Sequence, residues 1–244
     1  ETYLGSEVTV EDILEFGSEH VVVATGSRWR NDGVGRHHLI PQKFSEANTY
    51  TPDDIFAGRL PSGKVVIYDD DHFYLGGVLA ELCQKNGCEV TLVTPAALVS
   101  SWTVHTLEQE MIEADLLKKG IRIVTRHVVH PGKILIPESD PYAVHIYTKE
   151  VKILECDALV LVTARLPNSG LESALENVRY SWDDAGIKSV TRIGDSLAPA
   201  TIAAAVYSGH RYARELDEEI DPDRVPFERE LTAIAPEPDW KTFW

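Results

Sequence analysis

Cysteine is scarce in this chain, and its scarcity excludes a disulfide scaffold. The 244 residues contain three cysteines, Cys83, Cys88 and Cys156, whereas small secreted domains that depend on disulfides carry many more. Cys83 and Cys88 stand five apart across the end of a predicted helix, which is not the spacing of a zinc pair. We therefore expect structural thiols, no metal site and a reducing, cytoplasmic compartment.

Long hydrophobic runs and basic residues are also in short supply. The longest apolar runs, such as residues 158–164, are strand-sized, while a membrane helix needs about 20 apolar residues. There are 39 acidic residues against 23 basic ones, a net charge of −16, which repels phosphate backbones and acidic lipid surfaces. The sequence predicts neither a membrane protein nor a nucleic-acid-binding protein.

The first residues resemble the interior of a longer polypeptide. The chain starts at Glu1 without a methionine, and the stretch "ETYLGSEVTVEDILEF" has neither the basic start nor the apolar centre of a signal peptide. At the other end, the proline-containing tail from Pro222 is predicted to be an extended surface segment. We expect the remainder of the same polypeptide to be a partner of this segment.

Buried strands that alternate with helices predict an α/β fold with parallel sheets. Thr9 and Thr51 are typical helix N-caps, and residues 142–155 read as a small antiparallel excursion that turns at Lys149. The predicted domain plan is one α/β domain, residues 59–165, inserted into a second that is built from residues 1–58 and 166–244.

A helix is predicted over residues 101–119. Apolar residues recur there at helical spacing and should form its buried stripe. They are Val104, Leu107, Met111, Ala114 and Leu117.

The inserted domain begins with "KVVIYDDDHFYLGGVLAELCQKNGCEVTLVT", which has the strand–turn–helix–strand order of a dinucleotide-binding unit. In such units the turn reads G-x-G-x-x-G, because the glycines let the pyrophosphate approach the helix N-terminus. Counting from the strand puts Tyr68, Asp70 and Phe73 at the glycine places. Counting back from the helix end puts Asp71, Phe73 and Gly76 there. Either count lacks the first two glycines.

Charge also argues against a nucleotide at this turn. One carboxylate about 5 Å from a phosphate costs roughly 3 kcal/mol at an effective dielectric of 20, and residues 69–71 are three consecutive aspartates. Thr94 and Pro95 stand where an acid would hold the ribose hydroxyls. We expect that NAD(P) does not bind, and we favour a solvated acidic turn over a cation site. His37 and His38 are adjacent in a polar loop and are not expected to converge on one ion.

Two small-residue turns on either side of this domain suggest a different nucleotide site. "VVVATGSRW" and "VLVTARLPN" end buried strands in small residues, and "TRIGDSLAP" places Asp195 after Gly194 at the start of a helix. A strand that ends in Gly-Asp lets a ligand come close, and the carboxylate accepts hydrogen bonds from ribose or ribityl hydroxyls. The following helix N-terminus is able to face a phosphate.

These motifs, in this order, resemble the C-terminal half of the trimethylamine, dimethylamine and histamine dehydrogenase family, from about Val8 to Glu230. These enzymes are long relatives of Old Yellow Enzyme and are akin to the 2,4-dienoyl-CoA reductases. The resemblance implies two Rossmann-type domains like those of glutathione reductase. The FAD-like domain would hold ADP, or the adenosine part of FAD, and the NAD(P)-like domain would be vacant. Cofactor-binding residues carried over are Ala24, Thr25, Gly26, Gly194 and Asp195.

The family's remaining parts lie outside this chain. The resemblance implies an N-terminal barrel with FMN and a 4Fe-4S cluster, oxidative demethylation or deamination of a small amine, an electron-transfer flavoprotein as electron acceptor, and a homodimer. This segment has no catalytic residue, and its three cysteines cannot supply a cluster's four thiolates. The first βαβ unit of the FAD-like domain is missing too, so we expect no tight ADP binding by the segment alone.

Two alternatives stay open. One is an NAD(P)H-dependent reductase of the dienoyl-CoA reductase type, in which Ala164 would replace a glycine; the other is a scaffold subunit without catalysis.

Overall fold

The computed structural model describes residues 2–132, 141–216 and Glu218, and it confirms the α/β class with mostly parallel sheets. The chain divides into two compact units, one of residues 1–26 and 168–244 and the other of residues 27–167. The predicted extended tail from Pro222 lies outside the described residues. None of the described helices is long and apolar enough to cross a bilayer.

The described residues form seven α-helices and twelve strands. The helices are α1 (Val10–Phe16), α2 (Pro52–Phe56), α3 (Leu75–Lys85), α4 (Gln109–Lys118), α5 (Gly170–Asn177), α6 (Trp182–Ala185) and α7 (Ile202–Glu215). The strands are β1 (His20–Val23), β2 (Ser27–Trp29), β3 (Thr49–Tyr50), β4 (Lys64–Asp69), β5 (Glu89–Val93), β6 (Arg122–Val124), β7 (His127–His130), β8 (Tyr142–His145), β9 (Val151–Ile153), β10 (Ala158–Val162), β11 (Arg165–Pro167) and β12 (Ser189–Arg192).

The second unit is built on a parallel five-stranded sheet in the order β3-β10-β4-β5-β6. Every residue of β10 is buried, as expected for a central strand of a sheet that is covered on both faces. Side chains from the two faces enter two separate apolar clusters, one around Ile67 and Leu79 and the other around Tyr68 and Leu161. The sheet therefore fixes the position of the turn that follows β4.

A smaller antiparallel sheet, in the order β7-β8-β9, lies in the same unit. The chain turns between β8 and β9 with Lys149 at φ 60°. The predicted antiparallel excursion and its turn at Lys149 are confirmed.

The predicted helix over residues 101–119 is wrong in its continuity and in its buried face. A 3₁₀ helix, Ser101–Thr106, ends at Leu107, whose φ is 62°, and α4 starts afresh at Gln109. Four residues of the predicted stripe, Val104, Leu107, Met111 and Leu117, are exposed, Leu107 by 93%, and Ala114 is half-buried. The face that packs inward carries Ile112 and Leu116 instead.

Residues 27–58 pack differently from the predicted domain plan. β2 pairs with β11 and β3 pairs with β10, so that these residues belong to the compact unit of residues 27–167. Strand pairing across more than 100 residues of sequence is not visible in local patterns. The nucleotide-binding roles assigned to the two domains stay predictions.

The first unit contains the parallel pair β1 and β12, with α1, α5, α6 and α7. Thr9 caps α1 in a reciprocal arrangement with Asp12, and Gly17 ends it in the left-handed region at φ 70°. Both features confirm the predicted helix. Leu175, Trp182 and Ile187 form the buried centre of this unit.

Candidate functional site

Two turns in the first unit leave the same edge of its sheet. β1 and β12 are parallel, and Val23 pairs with Arg192 at their carboxyl ends. Ala24, Thr25 and Gly26 follow one strand, and Gly194 and Asp195 follow the other. The fold thus brings together the two turns that carry the predicted cofactor-binding residues, at the edge where α/β sheets bind ligands.

The turn after β1 is held by an asparagine that the sequence patterns did not single out. The Thr25 hydroxyl donates to the Asn168 carbonyl oxygen at 2.5 Å, and Asn168 Nδ2 donates to the Thr25 carbonyl oxygen at 3.0 Å. Gly26 has φ 72°, and no atom of the described residues lies within 4 Å of a Cβ added there. These residues therefore allow a ligand to approach the backbone at Gly26 closely.

Ser196 ties the second turn to the first strand. It is fully buried, and its Oγ lies 2.7 Å from the carbonyl oxygens of both Val23 and Ile193. Sequence reasoning missed this residue, although a small polar residue directly after Gly194-Asp195 was a usable signal. Gly194, at φ 59°, needs the left-handed conformation that glycine adopts without strain.

The Asp195 carboxylate already has one structural task. Its Oδ1 accepts a hydrogen bond from the Ala200 backbone N–H at 3.1 Å. The carboxylate is thereby held in place at the end of the 3₁₀ turn Gly194–Ser196. A positioned carboxylate beside two glycine turns fits the ribose hydroxyls of a nucleotide.

In the second unit, the turn between β4 and α3 matches one of the two glycine counts. A Cβ on Gly76 would lie 2.6 Å from Asp69 Cγ, so only glycine lets α3 approach the end of β4 this closely. Close packing of helix on strand is the role of the third glycine in a dinucleotide turn. The first two glycine places are then occupied by Asp71 and Phe73, which supports the count made back from the helix end.

Asp70 turns into the protein and not into solvent. Its side chain is fully buried; Oδ2 accepts the His37 backbone N–H at 3.0 Å, and Oδ1 lies 2.7 Å from His37 Nδ1. Burial would raise the pKa of Asp70, but hydrogen bonds from His72 and His37 outweigh it and hold that pKa below its usual value. A Cβ on Gly35 would collide with Asp70 Oδ2, so the loop rests directly on this carboxylate.

Asp69 is buried as well. Its Oδ1 accepts the backbone N–H groups of Asp71 and His72, at 3.1 and 3.0 Å, while Oδ2 has no hydrogen-bond partner. Burial raises the pKa of Asp69 to about 6. The prediction of a solvated acidic turn is therefore wrong for Asp69 and Asp70: Asp69 lies against Gly76 at the start of α3, and Asp70 is covered by the loop that contains Gly35 and His37.

The other contact points of a dinucleotide are also altered. Thr94, at the place of a ribose-binding acid, is buried, and its Oγ1 lies 3.3 Å from His72 Nδ1. Phe73 stacks on Trp102, with ring centroids 5.9 Å apart. The backbone N–H groups of Asp71 and His72, which a pyrophosphate at this turn would need as donors, are already bonded to Asp69 Oδ1. The residues present do not fit NAD(P).

His37 and His38 do not converge, as expected, but His37 meets another histidine. His38 Nε2 lies 2.8 Å from the Val129 carbonyl oxygen, whereas His37 and His72 both contact Asp70. No sequence pattern predicted this group, because its members come from two segments that are distant in the chain.

Comparison with known proteins confirms the resemblance to amine dehydrogenases. No family model matches the chain. Dimethylamine dehydrogenase from Hyphomicrobium sp. (strain x) is 29% identical over 93% of this chain. The structure of histamine dehydrogenase from Rhizobium sp. 4-9 is 45% identical over 97% of this chain, with a TM-score of 0.88.

A third relative is 6-hydroxypseudooxynicotine amine oxidase from Pseudomonas geniculata N1, whose structure is 35% identical over 88% of this chain, with a TM-score of 0.82. The chain spans about a third of each relative: 33%, 34% and 32% of their lengths. The similarity lies in the C-terminal part of these longer proteins.

Asp69→Asn should change how stability depends on pH. Because the pKa of Asp69 is about 6 in the native state and about 3.9 in an unfolded chain, the stability from its protonated form is complete below about pH 4. It is lost as the pH rises through about 6. Asparagine stays neutral, so the unfolding free energy of Asp69→Asn relative to wild type should rise by up to about 3 kcal/mol between pH 4 and 7.

Urea denaturation followed by tryptophan fluorescence at matched pH values measures this difference. Asp115→Asn, at an exposed position of α4, serves as the control and should track the wild type. Parallel pH curves for Asp69→Asn and wild type would contradict the burial of a protonated carboxyl.

Proposed function

We propose that this chain is the C-terminal nucleotide-binding-fold segment of a flavin-dependent, iron–sulfur amine dehydrogenase. The intact enzyme would oxidatively demethylate or deaminate a small amine and pass the electrons to an electron-transfer flavoprotein. The segment itself would be structural and would hold ADP, or the adenosine part of FAD. It would act in the cytoplasm, and the intact enzyme would be a homodimer.

Similarity to three amine-oxidising proteins over most of the chain supports the proposal. The cysteines at positions 83, 88 and 156 are thiols that form no disulfide with one another, which fits a reducing compartment. FMN and a 4Fe-4S cluster would belong to the barrel in the rest of the polypeptide, where the flavin would supply the amine oxidation.

The buried Asp70 is the observation that carries the choice of electron acceptor. In a reductase that uses NAD(P)H, the second unit would have to admit the pyrophosphate at the turn between β4 and α3. Here that turn holds a carboxylate that is fully buried and bonded to His37. Since this turn does not fit NAD(P), we propose that the electrons leave to an electron-transfer flavoprotein.

The first unit fits an adenine nucleotide better than the second unit does. Gly26 and Gly194 provide positive-φ turns at adjacent strand ends, and Gly26 borders open space. Asp195 would accept hydrogen bonds from the ribose hydroxyls. Ala24 and Thr25 would line the same turn, with Asn168 holding Thr25 in place.

The rest of the polypeptide would cover the open side of β1. Among the described residues, β1 pairs with β12 alone, and Val22 is 37% exposed. A groove of about 1060 Å³ beside it is lined by residues between Thr2 and Val22. Leu4 and Phe16 are largely exposed on this surface, which suits an apolar neighbour such as the missing βαβ unit of the same domain.

The runner-up is an NAD(P)H-dependent reductase of the dienoyl-CoA reductase type. It shares the domain order but needs the nucleotide site that Asp70, Asp71 and Phe73 fill. A scaffold subunit without catalysis is distinguished by the parent polypeptide, which would then lack a barrel.

NADPH should fail to reduce the flavin of the intact protein. Under anaerobic conditions, we expect NADPH to leave the flavin absorbance oxidised, because the second unit does not admit the nucleotide. Histamine or dimethylamine, used as probe amines, should bleach it, and dithionite serves as the control for a reducible flavin. Rapid bleaching of the flavin absorbance by NADPH would contradict the proposal and favour the reductase.

Asp195→Asn should weaken ADP binding to the intact protein. The amide oxygen keeps the bond from the Ala200 N–H, while the charge that would attract the ribose hydroxyls is lost; we expect at least a tenfold rise in Kd, roughly the value of one hydrogen bond to a charged group. Isothermal titration calorimetry with ADP measures it. Asp183→Asn, at an exposed site of the same unit, is the control, and an unchanged Kd for Asp195→Asn would remove Asp195 from the site.

A further inference from the structure

We propose that His37, Asp70 and His72 form a binding site for a divalent transition-metal ion of the zinc class. Among the residues that the structure describes, these three offer ligand atoms that all lie within 4.8 Å of one another. The inference does not depend on the proposed function, since it rests on the side chains of the second unit alone.

The spacing of the three groups suits a small ion. Asp70 Oδ1 lies 3.4 Å from His72 Nε2 and 2.7 Å from His37 Nδ1. Zinc holds nitrogen and oxygen ligands at about 2.0–2.2 Å, which in a tetrahedron puts ligand atoms roughly 3.3 Å apart. The Asp70–His72 pair already has this separation. The His37 ring would move by about half an ångström relative to Asp70 Oδ1, and the His37 and His72 ligand atoms, which lie within 4.8 Å of each other, would close to the same spacing.

Two of the three ligand side chains are buried, and the third is accessible to solvent. The Asp70 side chain is 0% exposed and that of His72 is 7% exposed, whereas that of His37 is 36% exposed. The first two are therefore fixed by packing, and His37 lies where an ion arrives from solvent. Two imidazoles and one carboxylate leave a fourth tetrahedral position for water.

Neighbouring groups orient the ligands as the outer shell of a metal site does. Asp70 Oδ2 accepts the His37 backbone N–H at 3.0 Å, which points Oδ1 toward both rings. His72 Nδ1 lies 3.3 Å from Thr94 Oγ1, so that its Nε2 faces Asp70. Asp70 and His72 thus each have a second contact that fixes the atom offered to the ion.

The charges around the site also favour a cation. Asp69 and Asp71 flank the site in sequence, and the chain carries a net charge of −16. Arg36 and Arg165 are the opposing charges, and both act on Asp71.

The donor set selects the kind of ion. Calcium and magnesium prefer sites made wholly of oxygen ligands, while imidazole together with carboxylate suits zinc and its first-row neighbours. A bound ion would join residue 37 of the covering loop to residues 70 and 72 of the turn, replacing the direct His37–Asp70 hydrogen bond by two metal–ligand bonds.

Zinc content of the protein at its natural length tests the site. After treatment with a chelator, reloading with Zn²⁺ and gel filtration, we expect about one zinc per chain by mass spectrometry, counted separately from iron. Competition with a chromophoric chelator gives the affinity, and Co²⁺ in place of Zn²⁺ should show the visible bands of a tetrahedral site.

His37→Gln is the main variant, because His37 is partly exposed and its loss spares the buried core. We expect at least a tenfold loss of Zn²⁺ affinity and loss of the Co²⁺ bands; Asp70→Asn should have the same effect. His145→Gln is the matched control, since His127 and His145 lie 5.0 Å apart between ring centroids in the same unit. It should bind zinc like the wild type.

Three results would overturn the site. They are a wild type that retains no zinc, a His37→Gln variant that binds as tightly as the wild type, and an equal loss in His145→Gln. The first would leave a hydrogen-bonded cluster alone, and the other two would place the ion elsewhere.

Discussion

The Asp70 carboxylate, buried against the backbone N–H and the ring of His37, is the contact on which the second unit's character depends. The carboxylate occupies the turn between β4 and α3. Its hydrogen bonds to His37, together with its close contact with Gly35, hold the loop around Gly35 against that turn. A buried carboxylate is stable only when donors satisfy it, and here a main-chain amide and two imidazoles do so. The strand–turn–helix order of a dinucleotide-binding unit is thereby kept, while a buried carboxylate occupies its turn.

The two units accordingly differ in how their strand ends are used. In the first unit, positive-φ glycines leave space at the carboxyl ends of β1 and β12, and Ser196 joins the two turns from beneath. In the second unit, the corresponding edge is packed with Asp69, Asp70 and Phe73. This contrast is the basis on which we propose an adenine nucleotide for the first unit and an electron acceptor other than NAD(P).

Local signals predicted much of this fold, because they act within a few residues. The caps at Thr9 and Thr51, the buried β10 and the turn at Lys149 all follow from short patterns. The helix around Leu107 was placed wrongly, since one left-handed residue broke the register that periodicity assumes. The missing glycines of the turn were also visible in the sequence.

Contacts between segments that are distant in the sequence could not be predicted from local patterns. Asp70 and His37 are 33 residues apart, and nothing in the loop's composition shows that it covers Asp70; the turn was therefore predicted to be solvated. The same reason hid the group formed by His37, Asp70 and His72, and it hid the pairing of β3 with β10. Ser196 is different, because it directly follows Gly194-Asp195 in the sequence. Its role could have been predicted from this local signal.

A crystal structure of the intact protein grown with excess NADPH tests the closed turn most directly. The account predicts that the His37 N–H still contacts Asp70 Oδ2 and that no nucleotide lies at the N-terminus of α3. A pyrophosphate at that helix, with the loop around Gly35 displaced from Asp70, would contradict it.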